Sequence, residues 1–348
     1  MRLGLNLGYW GKGTDKSNID LAVEADRLGF DVVWAAEAYG NDVVSTLAYV
    51  AAKTERIDIG SAVMQIPGRT PTMTAMTAAG LDSLSDGRFR LGLGVSGPQV
   101  SEGWHGVAYA KPLERTREYI EIIRMALQRK RVRYDGKHFQ LPLPDGPGKA
   151  LMLVTPPLRS DIPIYLASVG PKNLELTGEI ADGWLGVFSA YDALAPVLGR
   201  IEAGATRAGR SLSDLDIGMS SSVAIGEDLE AMADRIRPHQ ALYIGGMGSR
   251  EQNFYNATVV RLGYADAAQQ IQELYLGRHY AEAEAAIPLE LVDRTSLIGP
   301  VERVAERLVA LAEAGVNTVN VSPTGADVDE KIRQMRSLIE AAEKASIG

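Results

Sequence analysis

The sequence predicts an α/β fold, a (β/α)8 barrel, and three observations carry that prediction. First, a helical stretch ends at glycine and runs into a short β-rich segment at Leu28–Trp34, Asp86–Leu93, Ala181–Val187 and Ala314–Val321. Glycine tolerates the left-handed turn that closes a helix, so each junction reads as a helix cap followed by a strand. Second, short apolar runs recur along the chain, as expected of parallel strands buried on both faces. Third, amphipathic helical stretches separate these runs, which implies βαβ units around a parallel sheet. Eight such units make a barrel.

In order, the strand-like runs lie near 3–8, 31–36, 57–64, 89–95, 162–168, 184–188, 215–223 and 317–321. Between them Ile19–Leu28, Tyr119–Leu127 and Val301–Leu311 repeat apolar positions every three to four residues. Gly299-Pro300 starts the last of these helices. Two stretches break the rhythm. Leu141–Gly148 is rich in Pro and Gly, which marks an irregular excursion over about 130–160. Residues 240–297 carry helical patterns at Phe254–Leu262, Ala265–Leu274 and Tyr280–Leu291, too much for one crossover. They read as a helical insertion beside the barrel mouth, between the seventh and eighth strands. No linker divides the chain, so one barrel domain with two insertions is expected over 1–348.

Composition narrows the chemistry. The 348 residues hold 36 basic and 44 acidic side chains, giving 36 − 44 = −8, and no cysteine. A cysteine-free chain has no disulfide framework, no Cys-based zinc or iron–sulfur site and no thiol nucleophile. A chain with this net negative charge is not expected to bind nucleic acid. No apolar run reaches the ~20 residues that a membrane span needs. Met1–Asn6 lacks the long apolar stretch of a secretory signal, so a cytoplasmic protein is expected. His105, His138, His239 and His279 lie far apart, with no His-x-His or His-Glu-x-x-His, so no metal site is expected. There is neither a Gly-x-Ser-x-Gly elbow nor a Gly-Lys-Ser/Thr phosphate loop. A bound organic cofactor is then the natural carrier of the reaction.

In a barrel of this kind, function sits at the C-terminal strand ends. After strand 2, Trp34, Glu37 and Tyr39 stand at the rim, and Glu37 is either salt-bridged or turned toward a ligand. At strand 3, Gly60, Ser61 and Ala62 lead through Val63 and Met64 into a Pro-punctuated turn. Small residues there permit a bulge or the close approach of a ligand. Arg69, before the next helix, is either an anion holder or a surface charge. After strand 4, Ser96 and Gly97 open a Gly-bracketed loop carrying Trp104 and His105, an aromatic and an imidazole suited to a flat ligand. His105 is either structural or catalytic. After strand 5, Ala167, Ser168, Val169 and Gly170 lead into a helix start with Lys172. Backbone amides and a helix N-terminus there suit an anion. Gly186, after strand 6, opens a second such turn.

The stretches Leu5–Gly11, Trp34–Gly40, Gly60–Pro71, Leu81–Gly94, Val95–Gly106, Ile164–Asn173 and Ala181–Val187 together resemble the luciferase-like monooxygenase superfamily in its own order. Tyr243–Gly248 followed by Asn253-Phe254-Tyr255 is similar to the branch that uses the deazaflavin coenzyme F420. The resemblance implies a homodimer with the deazaflavin ring in the barrel mouth and a small organic substrate on its far face. It also implies a non-prolyl cis peptide at Ala62–Val63, pressed against one ring face. By the same resemblance Ala62, Val63, Met64, Ser96, Gly97, Ala167, Ser168, Val169, Gly170 and Gly186 fall near the cofactor; the relatives' phosphate-binding lysines and arginines have no clear match here, and Arg69 and Lys172 are this chain's own candidates for its acidic tail. Glu37 takes the place of an acid near the ring. Where alcohol- and sugar-oxidising relatives follow that acid with a proton-transferring His, this chain has Ala38, which leaves Glu37, His105 or solvent for the role. Trp34, Trp104 and Tyr39 would line the substrate pocket. The expected reaction is hydride transfer, with a separate enzyme recycling the cofactor. The competing readings are a two-component monooxygenase using reduced FMN and a non-catalytic F420 carrier. Pro71–Leu84, with Met73 and Met76, is the candidate dimer interface.

Overall fold

A computed structural model describes residues 1–8, 16–248, 250 and 253–347. Of the stretch Leu5–Gly11, residues 9–11 lie outside the described residues. Eight parallel strands close into a barrel: β1 (Arg2–Asn6), β2 (Val32–Ala35), β3 (Asp58–Ser61), β4 (Phe89–Gly94), β5 (Ile164–Leu166), β6 (Gly183–Gly186), β7 (Asp216–Ile225) and β8 (Thr318–Pro323). Each pairs with the next, and β8 pairs back onto β1 from Arg2↔Thr318 to Leu5↔Val321. The ring of helices comprises α1 (Ser17–Leu28), α2 (Val43–Ala51), α3 (Pro71–Leu84), α4 (Pro112–Leu127), α5 (Pro171–Ile180), α6 (Ala195–Arg207), α7 (Val301–Glu313) and α8 (Val328–Lys344). No helix among the described residues is long and apolar enough to cross a membrane.

The strands form where the sequence is short-run apolar, and most of their residues are buried because helices cover the outside and side chains fill the inside. Gly29, Gly87 and Gly315 have φ of 83°, 83° and 97°, so three of the glycine junctions turn as expected. The fourth differs. Gly183 opens β6, and a Cβ there would come within 2.3 Å of the Tyr165 ring. That glycine makes room inside the barrel rather than capping a helix.

The third strand stops at Ser61, earlier than the sequence indicates. The Ala62–Val63 bond is cis, and a two-residue strand, Met64–Gln65, resumes pairing with β4 through Met64↔Leu93 and Gln65↔Gly94. The excursion at 130–160 contains a small antiparallel hairpin, Tyr134–Asp135 against Gln140–Leu141. The helical insertion starts sooner than expected, at Leu229. Its last helix is two, Tyr280–Ala285 and Leu289–Thr295, because Pro288 at φ −62° and ψ 139° interrupts the pattern. The insertion has its own apolar cluster, including Ile236, Ile244, Val259, Ile271 and Leu291.

The barrel is plugged at its N-terminal end. Arg90 donates to Asp58 at 2.7 Å and to Asp216 at 3.3 Å, and the Tyr165 hydroxyl donates to Asp216 at 2.9 Å. Arg2 pairs with the same aspartate at 2.7 Å, and Thr318 donates to it at 2.9 Å. Each buried charge has a partner, which a water-poor interior demands.

Candidate active site at the barrel mouth

Above the plug, the Trp34 indole N–H donates to Asn320 Oδ1 at 2.8 Å, and its ring meets Tyr165 edge-on at 5.3 Å between centroids. Trp34 is only 2 % exposed. It forms one cluster with Tyr165 and Leu185, against which Ala62, Val63 and Ala167 pack. This corrects the placing of Trp34 in the substrate pocket: the indole fills the barrel interior and supports the mouth from below. The lack of a side chain at Gly60 explains its fit, since a Cβ there would sit 2.3 Å from the indole.

One wall of the mouth is a hydrogen-bonded set. Glu37, at the end of β2, is buried. Its Oε1 pairs with Arg69 Nη1 at 2.6 Å, and its Oε2 accepts from the Gln65 backbone N–H at 2.9 Å. Arg69 Nη2 pairs with Asp42 at 2.6 Å. The Tyr119 hydroxyl donates to the Arg69 carbonyl at 3.1 Å, and burial pushes its pKa up to about 12, so it stays a donor. Arg69 is therefore not the anchor for an acidic tail that the sequence reading gave it, because both terminal nitrogens already hold carboxylates. The Gln65 side chain ties the wall together: its Oε1 lies 2.8 Å from His105 Nε2, and its Nε2 donates to Ser96 Oγ at 3.0 Å. Ser96 turns with φ 61°, and Gly97 caps the short helix Pro98–Ser101. Trp104 and Tyr39 stand at the rim, 67 % and 62 % exposed.

Several other expected contacts fall differently. The Met64 side chain is buried in the main core, so only its backbone is left for the mouth. The Ser168 hydroxyl faces Thr177 Oγ1 at 2.8 Å, and its carbonyl accepts from the Trp184 indole at 2.9 Å. Gly186 serves packing, since a Cβ there would meet the Trp184 ring at 2.3 Å. At the start of α5, Gly170 is an extended N-cap with no side-chain cap, and open space surrounds its Cβ position. Lys172 is exposed, and Asn173 Oδ1 is buried without a hydrogen-bond partner. Val169 and Gly170 thus frame an open helix N-terminus whose free N–H groups suit an anion, while the Asn173 oxygen is an acceptor and calls for a donor instead.

The opposite wall escaped the sequence reading. A small cavity of about 40 Å³, open to solvent, lies between the ends of β6, β7 and β8 and the insertion. Ser220, Ser222, Ser322, Phe188, His239 and Gln240 line it. The run Ser220-Ser221-Ser222 in an otherwise apolar strand was a legible signal. His239 gave none, because it comes from the insertion and reaches the mouth only through tertiary packing.

The chain belongs to the luciferase-like monooxygenase family, whose model matches residues 9–318. Within that class it is 41 % identical over 346 residues, covering 97 % of this chain and 99 % of the relative, to a Mycobacterium tuberculosis (strain ATCC 25618 / H37Rv) protein provisionally named a coenzyme F420-dependent oxidoreductase. It is 30 % identical over 316 residues to the 5,10-methylenetetrahydromethanopterin reductase of Archaeoglobus fulgidus, covering 89 % of this chain and 90 % of that one. Among solved structures, the coenzyme F420-dependent tetrahydromethanopterin reductase of Methanopyrus kandleri matches with a TM-score of 0.82 at 26 % identity over 96 % of each chain.

Proposed function

We propose that this chain is a coenzyme F420-dependent oxidoreductase acting on a small organic substrate. The observation that carries the reading is the 41 % identity, over nearly the full length of both chains, to the relative named for that activity. The 30 % identical reductase supports it.

The mouth suits the cofactor. The bulge at Ala62–Val63 and the neighbouring Ala167 offer a flat, small-residue floor held up by Trp34. The uncapped start of α5 at Val169 and Gly170, with the exposed Lys172, suits the phosphate and acidic tail. When bound, F420 supplies a carbon that donates or accepts hydride, and it carries the two-electron redox chemistry.

The protein's own groups bind and orient. Arg69 pairs with Glu37 in the wall, and Gln65 holds the His105 ring by Nε2. Ser96 and Gly97 shape the edge of the loop that carries Trp104. Exposed Met73 and Met76 on α3 support a homodimer through that helix. A separate enzyme would return the cofactor to its starting redox state.

The test is a paired titration of the protein with F420 and with FMN, followed by tryptophan quenching. Selective, saturable F420 binding is the expected result. Equal or tighter FMN binding would overturn the reading and point to the oxygen-dependent branch of the family.

A further inference from the structure

We propose that the cavity between the ends of β6, β7 and β8 and the helical insertion binds a small, uncharged molecule bearing a hydroxyl or carbonyl oxygen, with His239 as its anchoring hydrogen-bond partner. The inference deepens the function proposed above, since it names the class of compound that the second wall of the mouth accepts.

Charge is the first argument. None of the residues lining this cavity is Lys, Arg, Asp or Glu. Desolvation on the cavity side lowers the pKa of His239 and disfavours a charged imidazole there, although the residue keeps a solvent-exposed side. An ionised ligand group placed here would lose water and gain no counter-ion, which is costly. Hydrogen-bonding capacity is the second argument. Among the described residues, the hydroxyls of Ser220, Ser222 and Ser322 have no hydrogen-bond partner, and neither do the ring nitrogens of His239. Ser222 and Ser322 are direct neighbours across β7 and β8, so they present two hydroxyls side by side.

The third argument is how His239 is held. Phe188 lies parallel to its ring at 6.2 Å and 9°, and Tyr243 packs on it at 4.5 Å. Aromatic neighbours fix the imidazole by its faces and leave the nitrogen-bearing edge for the cavity. Phe188 also lines the cavity and gives it one apolar wall. A polar edge beside an apolar wall fits a compound with one oxygen on a hydrocarbon body.

Cyclohexanol is a suitable probe, with cyclohexanecarboxylate as its charged counterpart of similar size. Ligand-detected NMR titrations use the full-length protein, with and without F420. Saturable cyclohexanol binding is expected, with no saturable binding of the carboxylate. His239→Phe keeps the aromatic stack and removes the nitrogens; it should weaken cyclohexanol binding about five- to tenfold, the scale of one hydrogen bond. Ser322→Ala should weaken it roughly two- to threefold and guards against a folding defect in the first variant. F420 affinity should be unchanged in both. The proposal is overturned if the carboxylate binds as tightly as the alcohol, or if neither variant affects alcohol binding. It is equally overturned if His239→Phe weakens F420 by the same factor, since the cavity would then belong to the cofactor. Failure of the wild-type protein to bind F420, with cyclohexanol binding intact, would overturn the F420 reading alone.

Discussion

Glu37 and Arg69 meet at 2.6 Å, joining the end of β2 to the turn before α3. The pair draws in Asp42 on one side and the Gln65 backbone on the other, so one arginine braces much of a wall of the mouth. Arg69→Met would leave the buried Glu37 carboxylate without a counter-ion and should cost about 3 kcal/mol. Glu37→Gln keeps an acceptor for the Gln65 N–H and leaves Arg69 with Asp42, so about 1 kcal/mol is expected. Urea unfolding of the two variants measures the difference. Equal losses would show that the pair behaves like an exposed one.

Gln65 should act as a tie between the bulge and the loop that carries His105. Gln65→Leu removes the bonds to His105 and Ser96 and should cost roughly 1–2 kcal/mol. Hydrogen exchange across 96–105 should speed up while the strands stay protected. Unchanged exchange in that loop would remove the tie.

Gly186→Ala separates packing from cofactor contact. The added methyl would press on the Trp184 ring and should destabilise the fold by about 1–3 kcal/mol. F420 affinity of the folded variant should match the wild type. Normal stability with weakened F420 binding would restore Gly186 to the cofactor site.

Acid should loosen the junction of α1 with α8. A hydrogen bond from Arg27, reinforced by Arg336, lowers the Glu24 pKa from 4.5 to about 2. A depressed carboxylate pKa stabilises the fold fully above 4.5, and this contribution fades as pH falls toward 2. Glu24→Gln lacks that titration, so its melting temperature should fall less steeply than the wild type's between pH 5 and pH 3. Parallel curves for the two proteins would refute the linkage.

The barrel was legible because its signals are local. Gly29, Gly87 and Gly315 turn left-handed after helices, and the apolar runs that follow them have nowhere to go but a buried parallel sheet. Gly183 gave the same local pattern for a non-local reason, the Tyr165 ring across the barrel. The site was legible as segments and much less as contacts. Glu37 and Arg69 were both visible, yet nothing in their spacing says that they neutralise each other. Trp34 read as a pocket aromatic because a large ring at a strand end looks the same whether it points outward or down the barrel axis. His239 could not be found at all, since its place at the mouth depends on how the insertion folds over β6 and β7.

The ionic plug of Arg90, Asp58 and Asp216 has a consequence for traffic. It braces the N-terminal end of an interior already filled by side chains, so ligands can reach the barrel only at its C-terminal mouth.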